Sequence, residues 1–537
     1  MIRRIFLLLL IGVSFPATSQ ANRYFVFFKD KNNSSYSLSD PIKFLTRKSL
    51  DRRQKQNVII TEEDLPVNSN YVAQIKALGA KTYFTSKWWN GVLVQTDNSS
   101  VASINALPFV LKTELVAPGT KLLGGRQSKM GKGTQASSTS EATQFQLQQL
   151  VLDKMQEEGY HGEGVDVAQF DSGWQGVNVA SPFHHLFTES RVKGVFNFVN
   201  NTTNVYTDDN HGTEVLSVMG AYSPGVFTGG IYKANFYLFE TEEKAAEYRI
   251  EEYNWAFAAE RADSLGVDVI NSSLGYNTFD DSSMDYKVSD LNGKTTVISI
   301  TARKAVEKGM IVVCSAGNSG NDPSWRYITA PADVDGVLAT GSINSAGERS
   351  SFSSFGPTAD GRLKPDVVAL GSGTSVIMPS GAVGSASGTS LASPLVTCLA
   401  AGLVQAFPKA SNQDIYKAII NSANRLYNPG NTFGYGVPNF IIAKSYLKYG
   451  VLKDAISVFP NPVSNENLNI LFKEPTGQSI SVSIYDLTGK KLLDYTKSVT
   501  WDNNPIQYDL SMLPNGVYLL ELKSAQSNLM VKVIKAN

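Results

Sequence analysis

The stretch Gly384-Ser-Ala-Ser-Gly-Thr-Ser-Leu-Ala-Ser-Pro394 marks a change from a loop of small residues to an apolar helix. The run Leu391–Leu403 is rich in Ala, Leu and Val, which predicts a buried helix. Pro394 falls in the first turn, where a missing backbone N–H costs nothing. Ser390 is therefore predicted at a helix N-terminus, where free N–H groups favour a developing negative charge. This position suits a nucleophilic serine; an ordinary capping serine on a core helix is the alternative.

Three more chemically useful side chains stand at the ends of predicted elements. A short apolar strand ends at Asp171, and His211 begins a predicted helix. A buried strand runs into Ala-Gly-Asn318, whose amide is placed like an oxyanion donor. A serine nucleophile needs a base, and that base needs an orienting acid. Asp171, His211 and Ser390 are therefore candidate catalytic residues, with Asn318 as a candidate oxyanion-hole donor.

These motifs, in this order, resemble those of the subtilisin-like serine proteases, the subtilase family. Asp171 stands in Asp-Ser-Gly, His211 in His-Gly-Thr, Asn318 in Ala-Gly-Asn, and Ser390 in Gly-Thr-Ser-x-Ala-x-Pro. The resemblance implies a serine endopeptidase that hydrolyses peptide bonds of polypeptide substrates through an acyl-enzyme. The residues that the resemblance assigns to substrate binding are Ser273, Leu274, Gly275, Ala316 and Gly317.

The segment 145–447 is predicted to be the catalytic domain. Short apolar strands alternate there with helices, which indicates an α/β fold with a parallel sheet covered on both faces. Within it, Leu291–Gly309 is predicted to form a strand followed by a helix. The resemblance implies, more specifically, a subtilisin-like, doubly wound and mostly parallel sheet.

Composition bounds the remaining possibilities. With 537 residues, the chain is long enough for two to four domains of about 150 residues each. The formal net charge is +0, so nothing electrostatic favours nucleic acid or an anionic membrane as a partner. Two cysteines, Cys314 and Cys398, lie in apolar runs and predict buried free thiols rather than a disulfide framework.

The N-terminal part predicts secretion and a removable domain. Residues 1–21 have the basic start, apolar run and small-residue end of a secretory signal peptide, and no later run predicts a transmembrane segment. Residues 22–118 read as an α+β unit that resembles a subtilase propeptide, which implies a zymogen whose propeptide acts as an intramolecular inhibitor. An unrelated accessory domain is the alternative. Residues 119–144 predict a flexible linker, with activation cleavage between about Val116 and Gln144.

Residues 455–537 differ in character from the rest. Alternating apolar residues between turns predict a small antiparallel β-sandwich. Phe-Pro-Asn-Pro462, Tyr-Asp-Leu-Thr-Gly489 and Asn-Gly-Val-Tyr518 resemble the C-terminal sorting domain of the type IX secretion system of Bacteroidetes-type bacteria. The type IX machinery is the implied partner, and the implied location is secreted or on the cell surface after export through the periplasm. A substrate- or carbohydrate-binding module is the alternative.

No cofactor is identified from the sequence. His184-His185 could ligate a metal, but no second cluster at ligand spacing supports this. Structural calcium is an expectation from the family resemblance alone.

Glu240, Glu242 and Glu243, followed by Glu251 and Glu252, form an acidic neighbourhood between the histidine helix and the substrate strand. It is either a solvated loop or the origin of a preference for basic substrate side chains. The Asp209 carboxylate beside His211 reads as a solvated turn residue.

Two other function classes compete with an endopeptidase. A cell-surface adhesion protein on an inactive protease fold would not need all four of the candidate residues. A hydrolase or transpeptidase that uses the same triad on other acyl groups is the closer alternative.

Overall fold

The computed structural model describes residues 21–119, 131–135, 141–449, 456–464, 467–472, 479–500, 504–523 and 528–536, with only the backbone described for 131–135. All of the predicted signal peptide except Ala21 lies outside these ranges. So does much of the segment in which activation cleavage is predicted.

The N-terminal unit is an antiparallel sheet with helices on one face. Its strand order is β2-β3-β1-β4. Residues of β1 alternate between two cores: Val26 packs with the unit's own helices, whereas Phe25 and Phe27 face the catalytic domain. The strands are β1 (Asn22–Phe28), β2 (Lys81–Ser86), β3 (Gly91–Thr96) and β4 (Val110–Ala117), and the helices are α1 (Arg47–Lys55), α2 (Ser69–Ala77) and α3 (Asn98–Asn105).

The first helix of this unit begins later than the sequence predicts. Asp40-Pro41 predicts its start, but residues Pro41–Lys43 form a separate 3-10 turn. Helix α1 is capped instead by Thr46, whose Oγ1 accepts a hydrogen bond from Ser49 N at 3.2 Å. The first N–H groups of a helix have no partner within the helix, and the Thr46 side chain accepts from one of them.

The catalytic domain is built on a seven-stranded sheet in which every pairing is parallel. The order is β14-β13-β12-β11-β6-β10-β7, so the chain crosses from one side of β6 to the other between β10 and β11. Open α/β sheets bind ligands where strand order reverses in this way. The strands are β6 (Asp166–Asp171), β7 (Val192–Asn197), β10 (Asn235–Glu240), β11 (Val269–Ser272), β12 (Ile311–Ser315), β13 (Leu338–Ile343) and β14 (Val367–Leu370).

Helices cover both faces of this sheet, as predicted. Neighbouring strand residues alternate between two cores: Val167 and Val313 belong to one, Ala168 and Val312 to the other. The helices are α4 (Gln144–Gln149), α5 (Leu152–Glu157), α6 (His184–Thr188), α7 (His211–Gly220), α8 (Ile250–Leu265), α9 (Val297–Glu307), α10 (Thr389–Ala406), α11 (Asn412–Asn421) and α12 (Phe440–Tyr449).

Short strands also lie outside the main sheet. One of them, β5, falls in the predicted linker and corrects that prediction locally. A strand can form without apolar side chains when a neighbouring edge supplies its backbone hydrogen bonds. These short strands are β5 (Gly131–Gln135), the pair β8 (Tyr222–Ser223) and β9 (Phe227–Thr228), and the pair β15 (Thr374–Ile377) and β16 (Val383–Ser387).

Helix α10 is the centre of the fold. With 18 residues it is, among the described helices, the one long and apolar enough to cross a membrane. It is buried from Thr389 to Leu403 among the strands and helices of the catalytic domain, which makes it a core helix. Cys314 and Cys398 are buried free thiols, which confirms the prediction.

The C-terminal unit consists of two antiparallel sheets that share one core. This arrangement confirms the predicted antiparallel architecture. One sheet contains β17 (Ile456–Phe459), β18 (Leu468–Phe472) and β21 (Ile506–Tyr508), and the other β19 (Ser479–Tyr485), β20 (Lys491–Ser498), β22 (Gly516–Lys523) and β23 (Asn528–Lys535).

Candidate active site

Asp171 is the last residue of β6 and is fully buried. Its Oδ1 accepts hydrogen bonds from Ser172 N (2.9 Å) and from His211 Nδ1. Its Oδ2 accepts one from Gln169 Nε2 at 3.0 Å. Together with a longer bond from Ser172 Oγ (3.5 Å), these donors fix the carboxylate in one orientation. A carboxylate only accepts, so His211 carries its proton on Nδ1 and its Nε2 is available for chemistry.

Glycines let the two loops that carry Asp171 and His211 approach closely. A Cβ on Gly212 would lie 2.4 Å from the carbonyl oxygen of Gly173. A Cβ on Gly173, whose φ is +140°, would lie 2.6 Å from Asp209 N. Any side chain at either position would push the loops apart. The glycines of Asp-Ser-Gly and His-Gly-Thr thus bring acid and imidazole into contact.

The charge of Asp171 controls the titration of His211. Burial by itself lowers the pKa of the imidazole, but the Asp171 charge and hydrogen bond outweigh burial and raise this pKa to about 9. Glu214 and Asp209 act in the same direction. The site is therefore built to stabilise an imidazolium.

Ser390 lies in the first turn of α10 and is 2% exposed. Nearby, Asn318 is held by Thr389, whose backbone N and Oγ1 both donate to Asn318 Oδ1 at 2.9 Å. Because Thr389 donates to the amide oxygen of Asn318, the amide nitrogen Nδ2 points away from these two donors. A Cβ on Gly388 would lie 2.7 Å from Ser390 Oγ and 3.6 Å from Asn318 Nδ2. Hydroxyl and amide thus share the small space beside Gly388.

One cavity of about 210 Å³ connects these groups. It is an open cleft at the carboxyl ends of the parallel strands. His211 and Ser390 both line it, although 179 positions separate them in the chain. Its lining also includes Ser172, Asp209, Ser273, Leu274, Gly275, Gly317, Asn318 and Thr329.

The substrate-binding residues predicted from the family resemblance divide into two groups. Ser273, Leu274, Gly275 and Gly317 line the cleft. Ala316 does not; it is fully buried, and its backbone binds Thr340 O and Thr329 N. Ala316 thus belongs to the wall behind the cleft. Its assignment to the substrate site stays a prediction.

Two contacts that position the site were not predicted from the sequence, one made by Gln169 and one by Ser273. Gln169 bridges Asp171 and the carbonyl oxygen of Gly212 (2.9 Å). Ser273 Oγ donates to the carbonyl oxygen of Ser390 at 2.8 Å and so ties the substrate strand to α10. Gln169 lies within β6, and Ser273 directly follows β11. Their partners are far away in the chain, so spacing could not reveal them.

Asp209 differs from its prediction as a solvated turn residue. It is 7% exposed and accepts hydrogen bonds from Ser172 Oγ (2.9 Å) and Lys244 Nζ (2.6 Å). Burial opposes its ionisation, but these donors lower its pKa. Asp209 therefore supports the loop before His211.

Strand β5 pairs with the strand that leads into the serine helix. It pairs antiparallel with β16, with Gly384 opposite Gln135 and Ser387 opposite Gly131. Ser387 is three residues before Ser390. Strand β5 therefore covers the edge of β16 that β15 does not pair with.

The double histidine plays a structural part. His184 Nε2 bonds with Val179 O and His185 Nε2 with Tyr232 O, each at 3.0 Å. Over the described ranges, no group of three or more His, Cys, Asp or Glu residues could hold a metal ion. The calcium expectation stays a prediction.

Three family profiles match separate parts of the chain. Residues 162–437 match the profile described as "Subtilase family". Residues 23–132 match "Peptidase S8 propeptide domain, Bacteroidota", and residues 457–536 match "Secretion system C-terminal sorting domain". These matches confirm all three resemblances that the motifs indicated.

Individual relatives agree with the profiles. Subtilisin NAT from Bacillus subtilis subsp. natto is 29% identical over 304 residues, which cover 56% of this chain and 70% of that protein. A subtilisin from Bacillus pumilus is 29% identical over 300 residues, which cover 55% of this chain and 96% of its own length.

Proposed function

Because the chain belongs to the subtilase family and is a subtilisin-like serine endopeptidase, we propose that Asp171, His211 and Ser390 form its catalytic triad. Ser390 Oγ attacks the scissile carbonyl carbon while His211 Nε2 accepts the hydroxyl proton. His211 then protonates the leaving amine, which leaves an acyl-enzyme that water hydrolyses by the same steps. Asp171 holds the Nδ1–H tautomer and stabilises the imidazolium.

Asn318 and the backbone N–H of Ser390 form the proposed oxyanion hole. The support is that Thr389 fixes Asn318 Oδ1 (2.9 Å), so that Nδ2 remains to donate beside Ser390 Oγ. The N-terminus of α10 adds its positive dipole end. Loss of one such donor costs about 2.7–4 kcal/mol of transition-state stabilisation, a value measured in subtilisin, a relative of this protein.

The observation that carries the proposal is the Asp171–His211 hydrogen bond, together with the presence of His211 and Ser390 in one cleft. A fluorophosphonate probe is expected to label the activated enzyme at one site per molecule, with the label on Ser390. Labelling should be lost in Ser390→Ala and His211→Ala. Casein digestion separates an endopeptidase from a hydrolase of other acyl groups. A label on another residue would contradict the proposal.

The pH dependence of kcat/KM is expected to follow His211. Only the neutral imidazole can accept the serine proton, and its pKa is raised to about 9. Activity should therefore fall as the pH drops through 9, because the imidazole becomes protonated. A kcat/KM profile between about pH 6 and 11 measures this limb for the free enzyme. A midpoint at or below the ordinary histidine value of about 6.5 would contradict the assigned role of Asp171.

The N-terminal domain is proposed to inhibit the enzyme after cleavage by staying bound. Phe25 and Phe27 pack into the core that contains α8 and α9. Beside them, Asp263 of α8 accepts hydrogen bonds from Arg52 (2.6 Å), Arg53 (2.8 Å) and Lys87 (3.0 Å), and none of these groups is more than slightly exposed. The three cations lower the pKa of Asp263 in spite of its burial. This buried network joins the two domains.

Replacing Asp263 with asparagine is expected to loosen the cleaved complex. Breaking a buried ion pair costs about 3–5 kcal/mol, because the partner charges stay buried without compensation. The propeptide should therefore dissociate at least about 100-fold faster, measured as the rate at which activity appears after cleavage. The exposed pair of Asp51 with Arg47 gives a matched control, since Asp51→Asn should leave the rate unchanged. Equal rates for both variants would contradict the role of the network.

The C-terminal sorting domain directs export to the medium or the cell surface, and passage through the periplasm is proposed. Deletion of residues 455–537 should leave the protein in the periplasm with kcat/KM close to that of the full-length enzyme. Cell fractionation with an activity assay measures both. Continued secretion with weaker substrate capture would instead favour the binding-module alternative.

A further inference from the structure

One end of the cleft is acidic. Glu242, Glu243 and Glu247 all line the cavity that contains His211 and Ser390. They belong to the loop between β10 and α8, and we call these three residues the acidic wall. The lysine of the same loop, Lys244, donates to Asp209 at 2.6 Å and so supports the loop before His211.

Further carboxylates fix the shape of the acidic wall. Glu251 is 2% exposed, and its Oε1 accepts a hydrogen bond from Glu243 N at 2.7 Å. Asp280 Oδ2 accepts one from Glu247 N at 3.1 Å. Two further carboxyl groups therefore hold this loop in place, which gives the acidic wall a fixed shape.

The hydrogen-bond partners of the Glu242 carboxyl group are uncharged hydroxyls. Its Oε1 accepts hydrogen bonds from the fully buried Tyr276 hydroxyl and from Thr241 Oγ1 (3.2 Å). In the part of the chain that the structure describes, neither Glu242 nor Glu251 has an ion pair. Burial, with the charges of Glu247 and Asp171, raises the pKa of Glu242 to about 8. Such an arrangement is costly until a cation arrives.

Asn277 provides a second, independent sign of a ligand. It lines the same cavity and is 3% exposed. Its Oδ1 is buried and accepts no hydrogen bond from any described residue. A buried acceptor without a donor is destabilising unless a ligand supplies that donor. Carboxylates and an amide oxygen together form a set of acceptors that fits a positively charged donor.

We propose that the acidic wall and Asn277 form a specificity subsite for a Lys or Arg side chain of the polypeptide substrate. The inference rests on the proposed endopeptidase function and on the prediction that Ser273, Leu274 and Gly275 bind the substrate. Tyr276 and Asn277 directly follow these residues in the chain. If the segment pairs with the substrate backbone, the cationic residue lies within about four residues of the scissile bond, on the side that this segment binds. An ammonium or guanidinium supplies both the charge and the N–H donors that the subsite requires.

The test uses the activated enzyme at pH 9, near the His211 pKa, and matched fluorogenic peptides. At each of the four positions before the scissile bond, Lys is compared with its uncharged analogue norleucine. At one position, Lys is expected to raise kcat/KM by about 10-fold or more, since a desolvated charge pair discriminates strongly. In Glu242→Gln and Glu247→Gln the Lys/norleucine ratio should fall to about 3 or less. Asn277→Asp, which adds an acceptor charge, should raise the ratio.

Controls separate this proposal from the catalytic one. Glu348→Gln removes an exposed carboxylate that accepts a hydrogen bond from Asn344 and should leave the ratio unchanged. Fluorophosphonate labelling reports how much of each variant is folded. If norleucine peptides are cleaved but the wild-type ratio is near one at every position, the subsite is refuted and the endopeptidase stands. An unchanged ratio in both Gln variants also refutes it. If no peptide is cleaved and Ser390 is not labelled, the proposed function itself fails.

Discussion

Replacing Ser390 with alanine is expected to lower kcat by about 10⁶-fold, the loss measured for the nucleophile of subtilisin, a relative of this protein. The reason is that an alanine side chain has no oxygen to form the acyl-enzyme, so His211 can only assist water. Residual catalysis would come from Asn318 and from substrate binding. Hydrolysis of a peptide substrate by purified, activated protein gives the measurement.

The matched control is Ser351→Ala, which removes the hydroxyl of an exposed serine outside the cleft. It should keep wild-type activity. If Ser390→Ala retained more than about a hundredth of wild-type kcat, the nucleophile would have to be another residue.

Replacing Asp171 with asparagine is expected to lower kcat by about 10⁴-fold, as it does for the triad acid of a serine protease in general. The donors that point at this carboxylate include Ser172 N, His211 Nδ1 and Gln169 Nε2. An asparagine NH₂ must face at least one of them, so a donor meets a donor. The imidazole would then turn or change tautomer, and Nε2 could no longer accept the serine proton.

The same variant has a second readout that simple misfolding would not produce. The charge of Asp171 raises the His211 pKa, so its loss should move the acidic limb of kcat/KM to lower pH. Asp335→Asn, at an exposed position, serves as the control for both readouts. A limb that stays near pH 9 in Asp171→Asn would show that another group titrates.

The placement of the catalytic candidates could be predicted because its signals are local. Asp171, His211 and Ser390 each stand where a strand or helix begins or ends, and glycine, proline and small residues mark those boundaries. The end of helix α8 is also marked locally, by Gly266, whose φ is positive. Turn and cap chemistry depends on a few neighbouring residues, so a single sequence reveals it.

Predictions that depend on a distant partner are less successful. The predicted linker gains strand β5 only because β16 offers an edge. The strand predicted near Leu291 does not form, and that segment is a loop before α9.

The sequence by itself determined the family, the order of the domains and the identity of the candidate catalytic residues. These follow from local motifs and from periodicity. The tertiary structure decided which side chains share the cleft, how Gln169 and Thr389 orient them, and that Glu251 and Asp280 hold the acidic wall in place. Arg53 meets Asp263 across 210 positions of chain. Contacts at such separations are set by how the sheets and helices pack, and no short stretch of sequence encodes that packing.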